Sequence, residues 1–182
     1  MDLLDLIREL QSGEHELYES ASDEDIARTE STLERRLPSS FKAFVKTFSN
    51  GAYLYTAQEV SAVGAGNDQI APIHSNYPIA SGLKTISFRE EGTARAEDLV
   101  PFSLDANGNA WCFIIDPDIP TEDPPVAYLA PMMPLPEDPE PPKLYGRLSG
   151  FEAWLSLLAE RQNEVIREMY PDEVINDELK LG

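Results

Sequence analysis

The stretch Leu37-Pro-Ser-Ser-Phe-Lys-Ala-Phe-Val-Lys-Thr-Phe-Ser-Asn-Gly51 decides the fold. Pro38 suits a helix entry, where its missing N–H costs nothing. Ser39 or Ser40 can cap the free amides of the first turn. Phe41, Phe44, Val45 and Phe48 fall at i, i+3, i+4 and i+7, which is one helical face. Three phenylalanines at that spacing mark a buried face. Lys42 and Lys46 lie off it, and Asn50-Gly51 tolerates the left-handed conformation that often closes a helix. Ala52 to Tyr55 has strand-like composition. The unit reads as helix, sharp turn, strand.

Upstream, Ser22-Asp-Glu-Asp25 opens a second helix with a capping serine and three carboxylates that complement the helix dipole. Its apolar spacing extends it to Pro38. Leu3 to Leu10 forms a short amphipathic helix between Asp2 and Gly13, and residues 14–21 read as a connector. Downstream, Gln58 to Val63 suits a short strand. Gly64-Ala-Gly66 lacks the third glycine and following helix of a phosphate loop, so it reads as a turn. Ile79, Leu83, Ile86 and Phe88 fit a helix or an irregular strand equally well.

Leu99–Leu104 and Ala110–Ile115 are apolar runs separated by Asp105-Ala-Asn-Gly-Asn109. Asn107-Gly108 is a strong hairpin signal, since both residues accept positive φ. The run mimics the opening of a calcium loop. Ala110 and Asp116 occupy the positions that require glycine and glutamate. Ten of the fifteen prolines fall within 117–142, interrupted by Val126–Leu129, which reads as an edge strand between extended loops. Ser149-Gly-Phe-Glu152 is a capping box, and Phe151, Trp154, Leu155 and Leu158 give its helix an apolar face towards Met169. A last short helix fits residues 172–181.

At 182 residues one domain is expected. The formal charge is -19, from 33 acidic and 14 basic side chains. Such a surface repels nucleic acid and anionic lipid and attracts basic partners. One cysteine, Cys112, excludes an intrachain disulfide and suits a reducing compartment. The N-terminus lacks a signal-peptide pattern, and no run approaches the roughly 18 apolar residues of a membrane span. A cytoplasmic protein is expected. His15 and His74 lack companion ligands or nucleophiles, so no catalytic, cofactor or metal site is read.

Four blocks stand in order: the acid-capped helix Ser22–Leu37; the stretch from Leu37 to Gly51; Leu99-Val-Pro-Phe-Ser-Leu-Asp-Ala-Asn-Gly-Asn-Ala-Trp-Cys-Phe113; and Ser149-Gly-Phe-Glu-Ala-Trp-Leu155. Together they resemble the SUKH superfamily, over roughly Ser22 to Glu160. That group holds fungal cell-wall assembly regulators and bacterial immunity proteins of polymorphic toxin systems. The resemblance implies a single α+β domain with a mainly antiparallel sheet and helices at its N- and C-terminal sides. The expected organisation is an N-terminal helix and connector at 1–21, the domain proper at 22–160 including the proline-rich loop 117–142, and a helical extension at 161–182.

The resemblance implies no enzyme activity, no cofactor, and a protein partner such as a toxin domain; the alternative is a cytoplasmic scaffold or regulatory module. Pro38, Asn50, Gly51, Asn107, Gly108 and Trp154 are fold-related positions. Tyr53 and Tyr55 are candidate partner contacts by their aromatic character, with core packing as the other reading. Glu90, Glu91, Glu97 and Asp98 are candidates as an exposed acidic neighbourhood.

Overall fold

The computed structural model describes residues 3–10, 15–55, 58–105, 108–132 and 141–161. Its helices are α1 (Leu3–Leu10), α2 (Asp23–Leu33), α3 (Ser39–Thr47) and α4 (Phe151–Arg161). Seven strands, β1 (His15–Leu17), β2 (Ala52–Leu54), β3 (Gln58–Val60), β6 (Leu99–Leu104), β7 (Ala110–Ile114), β8 (Val126–Ala130) and β9 (Lys143–Leu148), form one antiparallel sheet in the order β1-β2-β3-β6-β7-β8-β9. Two short strands, β4 (Thr85–Ser87) and β5 (Thr93–Arg95), pair with each other as a separate ribbon. The architecture is α+β in one domain, as the blocks of sequence implied.

Each face of the large sheet has its own cluster. Facing the helices, a register row runs Leu17, Ala52, Val60, Ser103, Trp111, Tyr128 and Tyr145 across all seven strands. The helices cover that face with Leu6, Ile26, Phe41, Phe44, Phe151 and Trp154. Phe41 has no exposed surface. Its ring lies 5.3 Å from that of Phe113 and 5.2 Å from that of Phe151, both edge-on, an arrangement the ring quadrupoles favour. Phe102 stacks on Phe113 at 4.0 Å. The phenylalanine face of the opening stretch is therefore the centre of the core. On the opposite face, Leu99, Ala110, Cys112, Leu129 and Leu144 meet Ile79, Ile86 and Ala94 from the β4–β5 ribbon and the chain leading to it. Cys112 is fully buried there, and burial pushes its thiol far above the ordinary range, which leaves it unreactive.

Several local expectations need correction. Helix α2 ends at Leu33, not Pro38: Glu34 takes the left-handed conformation at φ 53° and caps it. Glu30 then receives the Leu37 N–H at 2.9 Å and the Lys42 ammonium at 3.1 Å, which pins the turn into α3. Pro38 is the N-cap of α3, and neither Ser39 nor Ser40 caps it with its side chain. The cap comes from the proline-rich segment instead. Asp123 accepts the Ser40 N–H at 3.1 Å and the Ser40 hydroxyl, and the Glu122 carbonyl accepts the Ser39 N–H at 2.8 Å. A carboxylate there also meets the positive end of the α3 dipole.

Strand β8 is not an edge strand. It pairs with β7 on one side and β9 on the other. Prolines flank Val126–Ala130 but none lies within it, so it can pair on both sides, with a register shift towards β9 between Val126 and Tyr128. The connector at residues 14–21 contains the three-residue strand β1; of the two readings open for 79–88, the strand holds, as β4. Asp2, Gly13, Asn107 and the 161–182 extension past Arg161 lie outside the described residues.

Gly51 and Gly64 are glycines for steric reasons. Gly51 has φ +83°, and a Cβ there would sit 2.9 Å from the Ile70 side chain. Asn50 before it clasps Val63, accepting the Val63 N–H at 2.7 Å. Gly64 has φ +70°, and its N–H donates to the Thr29 hydroxyl at 2.7 Å. Trp154 is fully buried.

Candidate functional site

A second register row crosses the sheet on the face away from the helices: Glu16, Tyr53, Glu59, Leu104, Ala110, Leu129, Leu144. Directly opposed residues on adjacent strands share a face. The row changes character midway. From Leu104 to Leu144 it is apolar and lies at or under the β4–β5 layer. From Glu16 to Glu59 it is polar: Glu16 is exposed, and Tyr53 and Glu59 are half-buried. The ribbon covers one half of the face and leaves β1–β2–β3 open among the described residues.

The Tyr53 hydroxyl donates to Glu59 at 3.2 Å. Tyr18, two residues beyond Glu16 and so on the same side, joins them. Burial raises the Tyr18 phenol above its ordinary range, and the nearby Glu16 and Glu59 carboxylates add to the shift. The Tyr53 phenol is raised for the same reasons, burial first and Glu59 next. Burial also raises Glu59, with the Tyr53 hydrogen bond pulling the other way. The phenols therefore stay neutral hydrogen-bond donors, and among the described residues no Lys, Arg or His side chain pairs with the carboxylates they face.

Raising a carboxyl in the folded state makes its ionisation unfavourable to folding. That effect is absent below the ordinary carboxyl pKa of 4.5 and grows as pH rises through the folded value. Glu59→Gln keeps the acceptor for Tyr53 and removes the charge. Its melting temperature at pH 7 is expected to exceed that of the parent, with the gap closing as pH falls below 4.5. Calorimetric scans across that range check this; a lower melting temperature at pH 7 contradicts it.

Tyr55 belongs to the other face. It has φ 49°, is half-buried, and packs edge-on against His15 with ring centroids 4.7 Å apart. Its N–H donates to His15 Nδ1 at 3.2 Å. The two tyrosines are not one patch.

The four acids separate as well. Glu90 and Glu91 are exposed in the turn before β5, and Glu97 and Asp98 follow β5 at its other end. Asp98 is not exposed: it retains 3% of its surface. Arg95 donates to it at 2.7 Å and to Asp116 at 2.8 Å, with Glu97 at 3.6 Å and Asp118 at 3.7 Å. Arg35 closes the other side at 4.0 Å. A buried carboxylate needs such compensation, so Asp98 is a structural ion-pair member. Next to it, a cleft of about 250 Å³ is lined by Arg35, Arg36, Asp116, Ile119 and Pro124. Among the described residues no group of three His, Cys, Asp or Glu side chains is placed to hold a metal ion. No helix among them is long and apolar enough to cross a membrane.

The match to known families settles what kind of chain this is. Residues 20–157 match the model of the SMI1 / KNR4 family (SUKH-1). This chain belongs to that family. A comparison with curated proteins finds no match. The SUKH-1 match spans α2 to most of α4, and so includes the sheet row from Tyr53 onward. Glu16 and Tyr18 lie just before it. In this SUKH-1 chain Tyr53 is a candidate by its aromatic character, whereas Glu16, Tyr18 and Glu59 are not among the sequence-based candidates. The signal for Glu59 was available: it is the one charged residue of Gln58–Val60, at the parity opposite to the buried Gln58 and Val60. Glu16 and Tyr18 carried no comparable signal, because a three-residue strand has too little alternation to show a face.

Proposed function

We propose that this SUKH-1 protein is a non-enzymatic binding module that acts as an immunity protein, neutralising a cognate toxin domain with a basic contact surface. Family membership over residues 20–157 carries the reading, because SUKH proteins commonly serve as toxin immunity proteins. The net charge of -19 supplies the sign of the partner. Charge of that size accelerates encounter with a basic protein and disfavours wrong partners. Tyr53 is proposed as an anchoring contact. Glu90, Glu91 and Glu97 are proposed as steering charges at the rim; Tyr55 and Asp98 contribute by holding their neighbours in place.

The test is co-expression with the toxin domain encoded beside this gene. A complex that co-purifies and restores growth is expected, with an association rate that falls about tenfold or more from low to physiological salt. Absence of both binding and protection overturns the reading, and a gene neighbourhood without a toxin favours the scaffold role. Reversing the two turn acids, Glu90→Lys with Glu91→Lys, is expected to slow association about two- to five-fold and leave dissociation unchanged, since rim charges act mainly on the on-rate. Stopped-flow mixing at two ionic strengths measures it.

A further inference from the structure

We infer that the open half of the sheet, over β1, β2 and β3, is the docking surface for an arginine-bearing extended segment of a protein partner, received between the Tyr18 and Tyr53 rings and the Glu16 and Glu59 carboxylates. The identity of that partner as a toxin rests on the immunity reading; the surface itself does not. Three observations meet here. The row Glu16–Tyr53–Glu59 continues, in register, the apolar row that the β4–β5 ribbon covers, so among the described residues half of one continuous face is covered and half is open. The open half is aromatic and anionic. Finally, Glu59 is half-buried, and among the described residues its carboxylate accepts a hydrogen bond only from the Tyr53 hydroxyl.

The ion pairs elsewhere sharpen that last point. Glu30, similarly placed at 25% side-chain exposure, holds Lys42 at 3.1 Å. Asp98 and Asp116 share Arg95 at 2.7 and 2.8 Å. Half-buried Asp25 and Asp123, which make no ion pair among the described residues, each receive a hydroxyl and a backbone N–H instead. Among the described residues Glu59 has neither a cation nor an N–H donor, only the Tyr53 hydroxyl. A guanidinium fits the vacancy better than an ammonium. Its planar fork can bond two carboxylate oxygens while its face stacks on a phenol ring. Arg is also weakly hydrated, so little is lost when it leaves water for a half-buried site. An extended segment can cross the row because its side chains alternate between two sides, so that every second one faces the sheet.

The experiment uses the full chain and a fluorescein-labelled eight-residue peptide alternating arginine with serine, read by fluorescence anisotropy. A counterpart with citrulline in place of arginine keeps the shape and removes the charge. Wild-type protein is expected to bind the arginine peptide and not the citrulline peptide. Glu16→Gln with Glu59→Gln should weaken binding at least about tenfold, and Tyr53→Ala at least about fivefold. Glu90→Gln with Glu91→Gln removes the same charge at the ribbon turn and should weaken it no more than about threefold. Thermal melts confirm folding, and Glu59→Gln is expected to melt above the parent, a signature that a merely structural carboxylate would not give.

Equal losses from the two pairs would reduce the effect to general attraction and overturn the assignment. So would failure of the wild-type protein to bind the arginine peptide. If a neighbouring toxin domain is bound equally well by the Glu16→Gln/Glu59→Gln variant, the surface is wrong and the immunity reading stands. If the peptide behaves as described and no toxin is neutralised, the surface stands and the immunity reading fails.

Discussion

Phe41→Ala is expected to destabilise the protein by about 3–5 kcal/mol, which at this chain length lowers the melting temperature by roughly 6–20 °C. Phe41 is fully buried, and its ring meets those of Phe102, Phe113 and Phe151. Those partners come from β6, β7 and α4 and are packed against one another: Phe102 stacks on Phe113 at 4.0 Å and stands edge-on to Trp154 at 5.0 Å. A site whose walls are braced this way collapses poorly, so the cavity left by truncation stays open and its cost adds to the lost transfer energy. Phe41→Leu retains most of the volume and is expected to lose less than half as much. Urea unfolding of both variants with an unchanged m-value checks the pair. A loss below about 1.5 kcal/mol for the alanine variant would mean that the three partners relax into the space.

Gly64→Ala is expected to cost about 2–3 kcal/mol, an unusual amount for one methyl group on a loop. The first contribution is conformational: φ +70° penalises a non-glycine residue by about 1–2 kcal/mol. The second is steric. The new Cβ would sit 2.5 Å from Asp25 Oδ1 and 2.8 Å from its Cγ. Asp25 is the third residue of α2 and closes a capping box with Ser22. The Ser22 hydroxyl donates to Asp25 Oδ2 at 2.6 Å, and the Asp25 N–H donates to Ser22 Oγ at 3.1 Å. Displacing that carboxylate loosens the cap, worth about 1 kcal/mol.

The pH dependence separates the two contributions. Ser22's side-chain and backbone hydrogen bonds lower the Asp25 pKa below 3.8. Its stabilisation is therefore present above that pH and disappears as pH falls through the depressed value. The strain of the left-handed backbone does not titrate. The deficit of Gly64→Ala relative to wild type should shrink below pH 3.8 without vanishing. Asp25→Ala should lose part of its own cost when combined with Gly64→Ala, since the carboxylate is already displaced. Full additivity would show that Asp25 accommodates the methyl in place.

Both results turn on features legible in the sequence to different degrees. The phenylalanine face of α3, the acid-rich start of α2 and the paired apolar runs of β6 and β7 were all readable. Each depends on spacing within a dozen residues, and local periodicity reports which side of an element is buried. The capping serine was readable too, because its partner is three residues away. That Gly64 locks this cap from a distant loop was not readable, because nothing near residue 64 refers to residue 25.

The candidate site follows the same division. Sequence marked Tyr53 as aromatic and the chain as strongly acidic. It placed Asp98 among exposed acids, whereas the approach of Arg95 and Arg35 buries it as an ion-pair member. It gave α3 a serine cap, whereas Asp123 supplies the cap from 83 residues away. It made Val126–Leu129 an edge, whereas β9 pairs on its outer side.

The sequence by itself determined the class of fold, the core-facing residues of its helices and the sign of the chain's own net charge. These are sums or short-range patterns of side-chain chemistry. Only the tertiary structure decided which strands lie at the edge, which carboxylates have cations, and which half of the sheet is left open. Those properties belong to pairs of residues that strand register and loop packing bring together, and neither is encoded in the composition of one segment. Glu59 is the clearest instance. Its charge is plain in the chain, but that no cation among the described residues pairs with it follows only once β1, β2 and β3 lie side by side with the β4–β5 ribbon ending short of them.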